Sequence, residues 1–324
     1  VAKDTLLTPP PFQFAEAPSL DLSIVIVNFN TREIVLDCLR SIQSHTRDIT
    51  FEILVVDNNS EDGSGKAIKK SFPQVVLIEN KDNRGFSAAN NQGLRISKGR
   101  YAVLLNSDTA LVENCFAAIV RYLDAHPEFS ILGPEILDSN NQPCSMRLWE
   151  DTAYDAAIKI LGRFDAASEF RKMGSRETKE VEVVGGSCFV IRREMFATVG
   201  LLDENYFLYN EEDDFCRRAR RLGKKVCYFP EARLQHLLGQ STHQPAIREK
   251  VIRETYKSNL YFYSKHYSVP WNLLLRSLYC LTFASGILRS LWKIMTGKTP
   301  LGVEDSISLK LKLLFMKMPK LGKS

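Results

Sequence analysis

Short apolar runs rich in β-branched residues alternate with amphipathic stretches along the first hundred residues of the chain. Leu22–Phe29 (LSIVIVNF) predicts a strand, and Arg32–Ser44 predicts an amphipathic helix. Phe51–Asp57 (FEILVVD) predicts a second strand, followed by a polar turn over Asn58–Gly65 and a short helix through Phe72. A third strand is expected at Val75–Glu79, a helix at Ser87–Ser97, and a fourth strand at Tyr101–Leu105 that ends in Asn106-Ser107-Asp108. Strands that are apolar throughout are buried on both faces, and their alternation with helices predicts a mainly parallel α/β sheet. The second half reads as a strand within Val181–Arg192 around Gly185-Gly186, a helix at Glu211–Leu222 and a strand at Lys225–Phe229. Ile247–Tyr267 is a long helical pattern, and the Lys-rich Ile307–Lys323 closes the chain.

Between these last two lies Trp271–Met295, the most apolar stretch and 25 residues long, enough to span a bilayer. On a helix at about 100° per residue, Arg276, Arg289, Lys293, Asn272, Thr282 and Ser290 share one face. Leu274, Leu278, Leu281, Leu288, Leu291 and Trp292 take the other. Cations confined to one side fit a helix lying in the membrane interface better than one crossing it, with packing against the catalytic domain as the second reading.

Charge sharpens that reading. The 324 residues carry a net charge of +5, yet from Lys265 onward there are ten Lys/Arg against two acids, so the remainder is about −3. A nucleic-acid enzyme would place its basic excess around the catalytic body. An excess in the tail points instead to anionic lipid. Seven cysteines without paired spacing suit reduced thiols in a cytosolic setting. The first twenty residues, with Pro9-Pro10-Pro11, read as an extended lead-in without a secretory signal.

Candidate chemistry gathers at the ends of the parallel strands, where such sheets bind ligands. Asn28 and Asn30 close the first strand, Asp57-Asn58-Asn59-Ser60 the second, Asn83-Arg84-Gly85-Phe86 the third and Asn106-Ser107-Asp108 the fourth. A nucleotide needs acceptors for base and ribose, a cation near its phosphates and a close backbone approach. Asp57 with the asparagines, Arg84 and Gly85 suit these needs in turn. Any one of these turns alone would read as ordinary strand-end chemistry, but parallel topology brings four to one edge. Asp108 suits Mg2+ or Mn2+ bridging two phosphates, with a helix N-cap near Leu111 as the plain alternative. Glu211-Glu212-Asp213-Asp214 opens a helix, where acids are favoured by the dipole. Glu211 and Asp214 share a face, with Glu212 beside them, and a carboxylate there could activate a sugar hydroxyl.

In order, SIVIVNFN (23–30), VVDNNSEDGS (55–64), NRGFSAANN (83–91) and LLNSDT (104–109) resemble the GT-A family 2 glycosyltransferases. VGGSCFVI (184–191), FLYNEEDDFCRR (207–218) and HLLGQS (236–241) extend the likeness, which is closest to bacterial rhamnosyltransferase-like members that build O-antigen and other cell-surface polysaccharides. The resemblance implies a GT-A domain over 21–245, and the charge and helical pattern add a C-terminal, membrane-associating helical extension over 246–324. Asp57 would bind base or ribose, with Asn28 and Asn30 lining the nucleotide site. Asn106-Ser107-Asp108 would be the DxD-type motif, Asp108 holding Mg2+ or Mn2+ and His236 completing the metal site. Glu212 falls on the catalytic-base position, with Glu211 its neighbouring alternative. Gly185-Gly186-Ser187 and Asp214 would sit on the acceptor side. The implied reaction is inverting transfer of one sugar from a dTDP- or UDP-linked donor to a lipid-linked saccharide. The QxxRW motif of processive synthases is absent. A nucleotidyltransferase would need a Gly/Arg-rich loop after the first strand, and a dehydrogenase GxGxxG; neither is there. The remaining alternative is a catalytically inactive sugar-nucleotide-binding module.

Overall fold

The apolar runs of the N-terminal half become β1 (Leu20–Asn28), β2 (Phe51–Asp57), β3 (Val76–Glu79) and β4 (Gly99–Asn106). Between them run α1 (Arg32–His45), α2 (Ser64–Ser71) and α3 (Phe86–Ile96). The computed structural model describes residues 9–144, 148, 153–160, 177–237, 245–296 and 306–316. Within these, β5 (Thr109–Leu111), α4 (Cys115–Ala125), β6 (Phe129–Leu137) and α5 (Ala153–Ile160) follow. Next come β7 (Lys179–Val181), β8 (Cys188–Arg192), α6 (Met195–Thr198), α7 (Glu211–Arg221) and β9 (Lys225–His236). The helices α8 (Pro245–His266), α9 (Val269–Met295) and α10 (Ile307–Leu314) complete the described chain.

The strands form one mixed sheet in the order β3-β2-β1-β4-β8-β6-β9-β5, with β7 on β9. Its first four strands are parallel, and the register sets Asn28 beside Asp57 and Val27 beside Asn106. The strand ends picked out by sequence therefore do meet at one edge. An apolar layer fills each face: Leu22, Ile24 and Ile26 of β1 point to the side of α1 and α4, and Val25 points to the side of α3 and α7. This is the α/β architecture of the GT-A fold with a helical C-terminal region.

Three expectations change. The strand expected across Val181–Arg192 is two strands: β7 pairs with β9, while β8 pairs with β4 and β6. Glycines without side chains weaken a strand interior, and Gly186-Ser187 turns the chain into β8. The strand expected to stop at Phe229 continues as β9 to His236, because Pro230 falls in the register shift of the β6–β9 pair. Asp108 is not a helix N-cap, since α4 starts at Cys115 behind Asn114. The lead-in, where described, is a strap. The Phe12 amide donates to Phe196 O, and the Arg193 guanidinium lies 3.6 Å from the Phe14 ring centre.

The C-terminal helices pack on one another. Arg276 donates to Met316 O, and Lys310 of α10 donates to Gly286 O and Ser290 Oγ, so the polar stripe of α9 turns inward at Arg276 and Ser290, while Arg289 stays exposed. The leucine face is left to solvent, with Leu281 65% and Leu288 67% exposed beside Trp271, Leu274 and Trp292. Among the described residues, no helix is long and apolar enough to cross a membrane. The Lys-rich stretch beyond 316 and Gly239-Gln240-Ser241 of the HLLGQS motif lie outside the described residues.

Candidate active site

The carboxyl ends of β1 to β3 build one end of a cleft. Asn28 Nδ2 donates to Asp57 Oδ1 at 2.6 Å and to Ser60 Oγ at 3.0 Å, while Thr31 Oγ1 donates to Asn28 Oδ1 at 2.7 Å. Asn28 and Asp57 are thus buried behind the wall, which is formed by Val27, Phe29, Thr31 and Asn58. Asn58 bridges the second and third turns: its Nδ2 donates to Asn83 Oδ1 and Gly85 O, and its Oδ1 accepts from the Arg84 amide. Gly85 lines the cleft at φ +85°, and a Cβ there would lie 2.7 Å from Phe207 O, so a side chain is excluded. Asn30 and Asn59 are exposed turn residues at positive φ, and Arg84 is exposed outside the wall.

The turn after β4 carries Asp108. Pairing of β5 with β9 sets Thr109 opposite His236, which brings the imidazole Nε2 within 3.0 Å of Asp108 Oδ1. Asn106 Nδ2 lies 3.4 Å from the same nitrogen. A carboxylate and an imidazole in contact at a cleft wall, 128 residues apart in sequence, fit two ligands of one divalent ion. Mg2+-type ions take one or two protein carboxylates and complete their shell with substrate phosphates. No group of three or more His, Cys, Asp or Glu forms a self-sufficient metal cage among the described residues.

The third wall is the first turn of α7, entered through Tyr209 and Asn210, both at φ 68°. Two consecutive non-glycine residues in the left-handed region mark a strained entry, as is common at functional sites. Glu211 is 5% exposed. Burial and then repulsion from Glu212, to which it is hydrogen-bonded, hold its carboxyl well above the usual range. Glu212 faces Gly186, where an added Cβ would stand 3.5 Å from the carboxyl carbon. Gly186 and Ser187 line the cleft, and Ser187 O accepts from the Asn106 amide, tying this turn to the wall that carries Asp108. Gly185 is one residue behind them.

Asp214 is not brought to the cleft. Its carboxylate is fully buried and accepts from Arg218 Nε (2.8 Å), Lys265 Nζ (2.7 Å) and His266 Nε2 (2.7 Å). Burial works against this charge, but Arg218, His266 and Lys265 together hold it well below the ordinary carboxylate range. Lys265 also meets Asp203 at 2.6 Å, so α8 is tied both to α7 through Asp214 and to the loop that precedes it.

These walls enclose a cavity of about 700 Å³. Sequence reading missed its remaining side: Phe207 and Tyr209 before α7, and Lys250, Val251 and Glu254 on α8. The helical period of α8 was legible, but periodicity marks apolar positions and says nothing of the charged residues facing a cleft.

The model of the family described as Glycosyl transferase family 2 matches residues 23–200, more than half the chain. The chain is 29% identical over 208 residues to the low-salt glycan biosynthesis hexosyltransferase Agl10 of Haloferax volcanii, covering 62% of each protein. It is 27% identical over 243 residues to the N-acetylglucosaminyl-diphospho-decaprenol L-rhamnosyltransferase of Mycobacterium tuberculosis, covering 69% of this chain and 78% of that one. Among solved structures, the mannosyltransferase PcManGT of Pyrobaculum calidifontis, in complex with GDP-Man and Mn2+, superposes with TM-score 0.51 at 14% identity over 94% of this chain and 88% of its own. GalNAc-T7 with UDP, GalNAc and Mn2+ gives 0.53 at 19% over 75% of this chain and 50% of its own.

Proposed function

The chain belongs to glycosyl transferase family 2, and from that premise we propose that it is an inverting, divalent-metal-dependent enzyme moving one sugar from a nucleoside diphosphate to a lipid-linked saccharide. The observation that carries this reading is the meeting of two pairs in one cavity: Asp108 with His236, and Glu211 with Glu212. Asp108 and His236 would hold Mg2+ or Mn2+, which when bound supplies positive charge beside the departing diphosphate.

The protein groups divide the remaining work. Asn58, Gly85 and the turns behind them receive the nucleoside, with Asp57 and Asn28 bracing that wall. Glu212 is the base that takes the proton of the acceptor hydroxyl, and Glu211, its hydrogen-bonded neighbour held above the usual carboxylate range by burial, positions it. Gly186 and Ser187 leave room for that hydroxyl beside Glu212. The oxygen attacks the anomeric carbon opposite the diphosphate, so configuration inverts and no covalent sugar–enzyme species forms.

The mycobacterial relative's name suggests rhamnose as the sugar and a diphospho-decaprenol-linked acceptor, and the sequence resemblance suggests dTDP as the nucleotide that carries the rhamnose. The outward leucine face of α9 and the basic tail support docking on the inner face of an anionic membrane, where such an acceptor presents its sugar. The test is a calorimetric screen of dTDP-, UDP- and GDP-linked sugars with and without Mn2+, followed by measurement of nucleoside diphosphate release. One donor should bind in a metal-dependent way and be consumed. Binding of none of them would reject the reading.

A further inference from the structure

Among the described residues, the cleft lining carries four carboxyl groups and takes a single cationic side chain of its own from α8. Asp108, Glu211, Glu212 and Glu254 all line it. A sugar-nucleotide cleft must also accept phosphate anions, and a lipid-linked acceptor can bring a second diphosphate. The cation assigned from sequence, Arg84, stands exposed outside the wall. Among the described lining residues, Lys250 of α8 is the only lysine or arginine.

Its surroundings keep it available. Glu254, one turn further along α8, is engaged by Lys257 at 2.8 Å and Arg253 at 3.3 Å. The Lys250 ammonium makes no ion pair among the described residues and lies 4.8 Å from the centre of the Phe207 ring. Phe207 is itself fixed to the nucleoside wall, because its carbonyl accepts the Phe86 amide at 2.7 Å. The helix carrying Lys250 is held by Ser258 Oγ donating to Leu208 O and by Asn210 Nδ2 donating to Asn259 Oδ1. A lysine poised over a ring, in a cavity rich in carboxylates and built on an anchored helix, has the chemistry of a phosphate ligand.

We propose that Lys250 is a substrate-phosphate-binding residue, which makes α8 part of the active site. This rests on the reading of the cavity as a sugar-nucleotide cleft. The phosphate could belong to the donor or to the acceptor linkage, and the two sources are separable.

Calorimetry on the full chain with Mn2+ would compare wild type, Lys250→Met and Lys250→Arg. The probes are UDP, GDP and dTDP, their parent nucleosides, and citronellyl diphosphate as the acceptor stand-in. Loss of one charge-assisted contact should weaken a phosphate-bearing probe roughly 10- to 100-fold in Lys250→Met. Lys250→Arg should recover most of that loss, and nucleoside affinity should stay the same throughout. A deficit confined to the nucleotide assigns the donor phosphate, and one confined to citronellyl diphosphate assigns the acceptor phosphate. Equal affinities in wild type and Lys250→Met overturn the proposal, as does a matching loss for the bare nucleoside. If wild type binds no nucleotide at all, the cleft reading itself fails.

Discussion

Replacing Asp214 by Asn tests whether the C-terminal helices are structurally part of the catalytic body. The substitution keeps the volume and removes the anion shared by Arg218, Lys265 and His266. Breaking a buried ion pair from one side costs about 3–5 kcal/mol. Arg218 keeps its bonds to Val199 O and Leu201 O, and Lys265 keeps Asp203, so the lower end, about 3 kcal/mol, is expected. For a chain of 324 residues that lowers the melting midpoint by roughly 4 °C. The variant should also change the acid limb of stability. Asp214 is depressed when folded, so its contribution is complete above the unfolded value near 3.8 and is lost as pH falls below it. Burial likewise lowers His266 from 6.5, so its share is present above that pH and is lost on acidification. Urea unfolding of wild type and Asp214→Asn at pH 7.5, 5.5 and 3.5 measures both effects. Wild type should lose stability at each step down, and the variant should lose less at the last. A variant within about 0.5 kcal/mol of wild type at pH 7.5, as for a surface substitution, would refute the tie between α7 and α8.

Glu212→Gln should lower turnover about 10²- to 10⁴-fold with nucleotide binding retained, whereas Glu211→Gln, whose amide can still donate to Glu212, should lose much less. Steady-state rates with paired calorimetry would check this, and the reverse pattern would exchange the two roles. Asp108→Ala should abolish turnover and metal-dependent nucleotide affinity with an unchanged circular dichroism spectrum; retained metal dependence would remove Asp108 from the site. Leu281→Glu with Leu288→Glu should abolish flotation with anionic vesicles while leaving donor binding intact, and undiminished flotation would remove α9 from the membrane account.

The parallel half of the sheet was readable because strands buried on both faces are continuous apolar runs, and their register then carries four polar turns to one edge. Pairings across long separations were not readable. His236 reaches Asp108 only because a three-residue strand, β5, hydrogen-bonds to the far end of β9. The helical spacing correctly put Glu211 and Asp214 on one side of α7, yet that side is the buried one, and half-buried Glu212 is left facing Gly186. In α9 the separation of Leu281 and Leu288 from Arg276 and Ser290 was legible, but that Arg276 and Ser290 face α10 while Arg289 stays exposed was not, because it depends on where α10 docks. Lys250 carried no signal, since its role depends on where a distant helix docks.

The most direct test follows the anomeric proton by NMR while a nucleotide sugar of known configuration reacts with a soluble diphosphate-linked acceptor and Mn2+. The account predicts one added sugar of inverted configuration, formed by wild type and not by Glu212→Gln. A product of retained configuration, or equal yield from the variant, would contradict it.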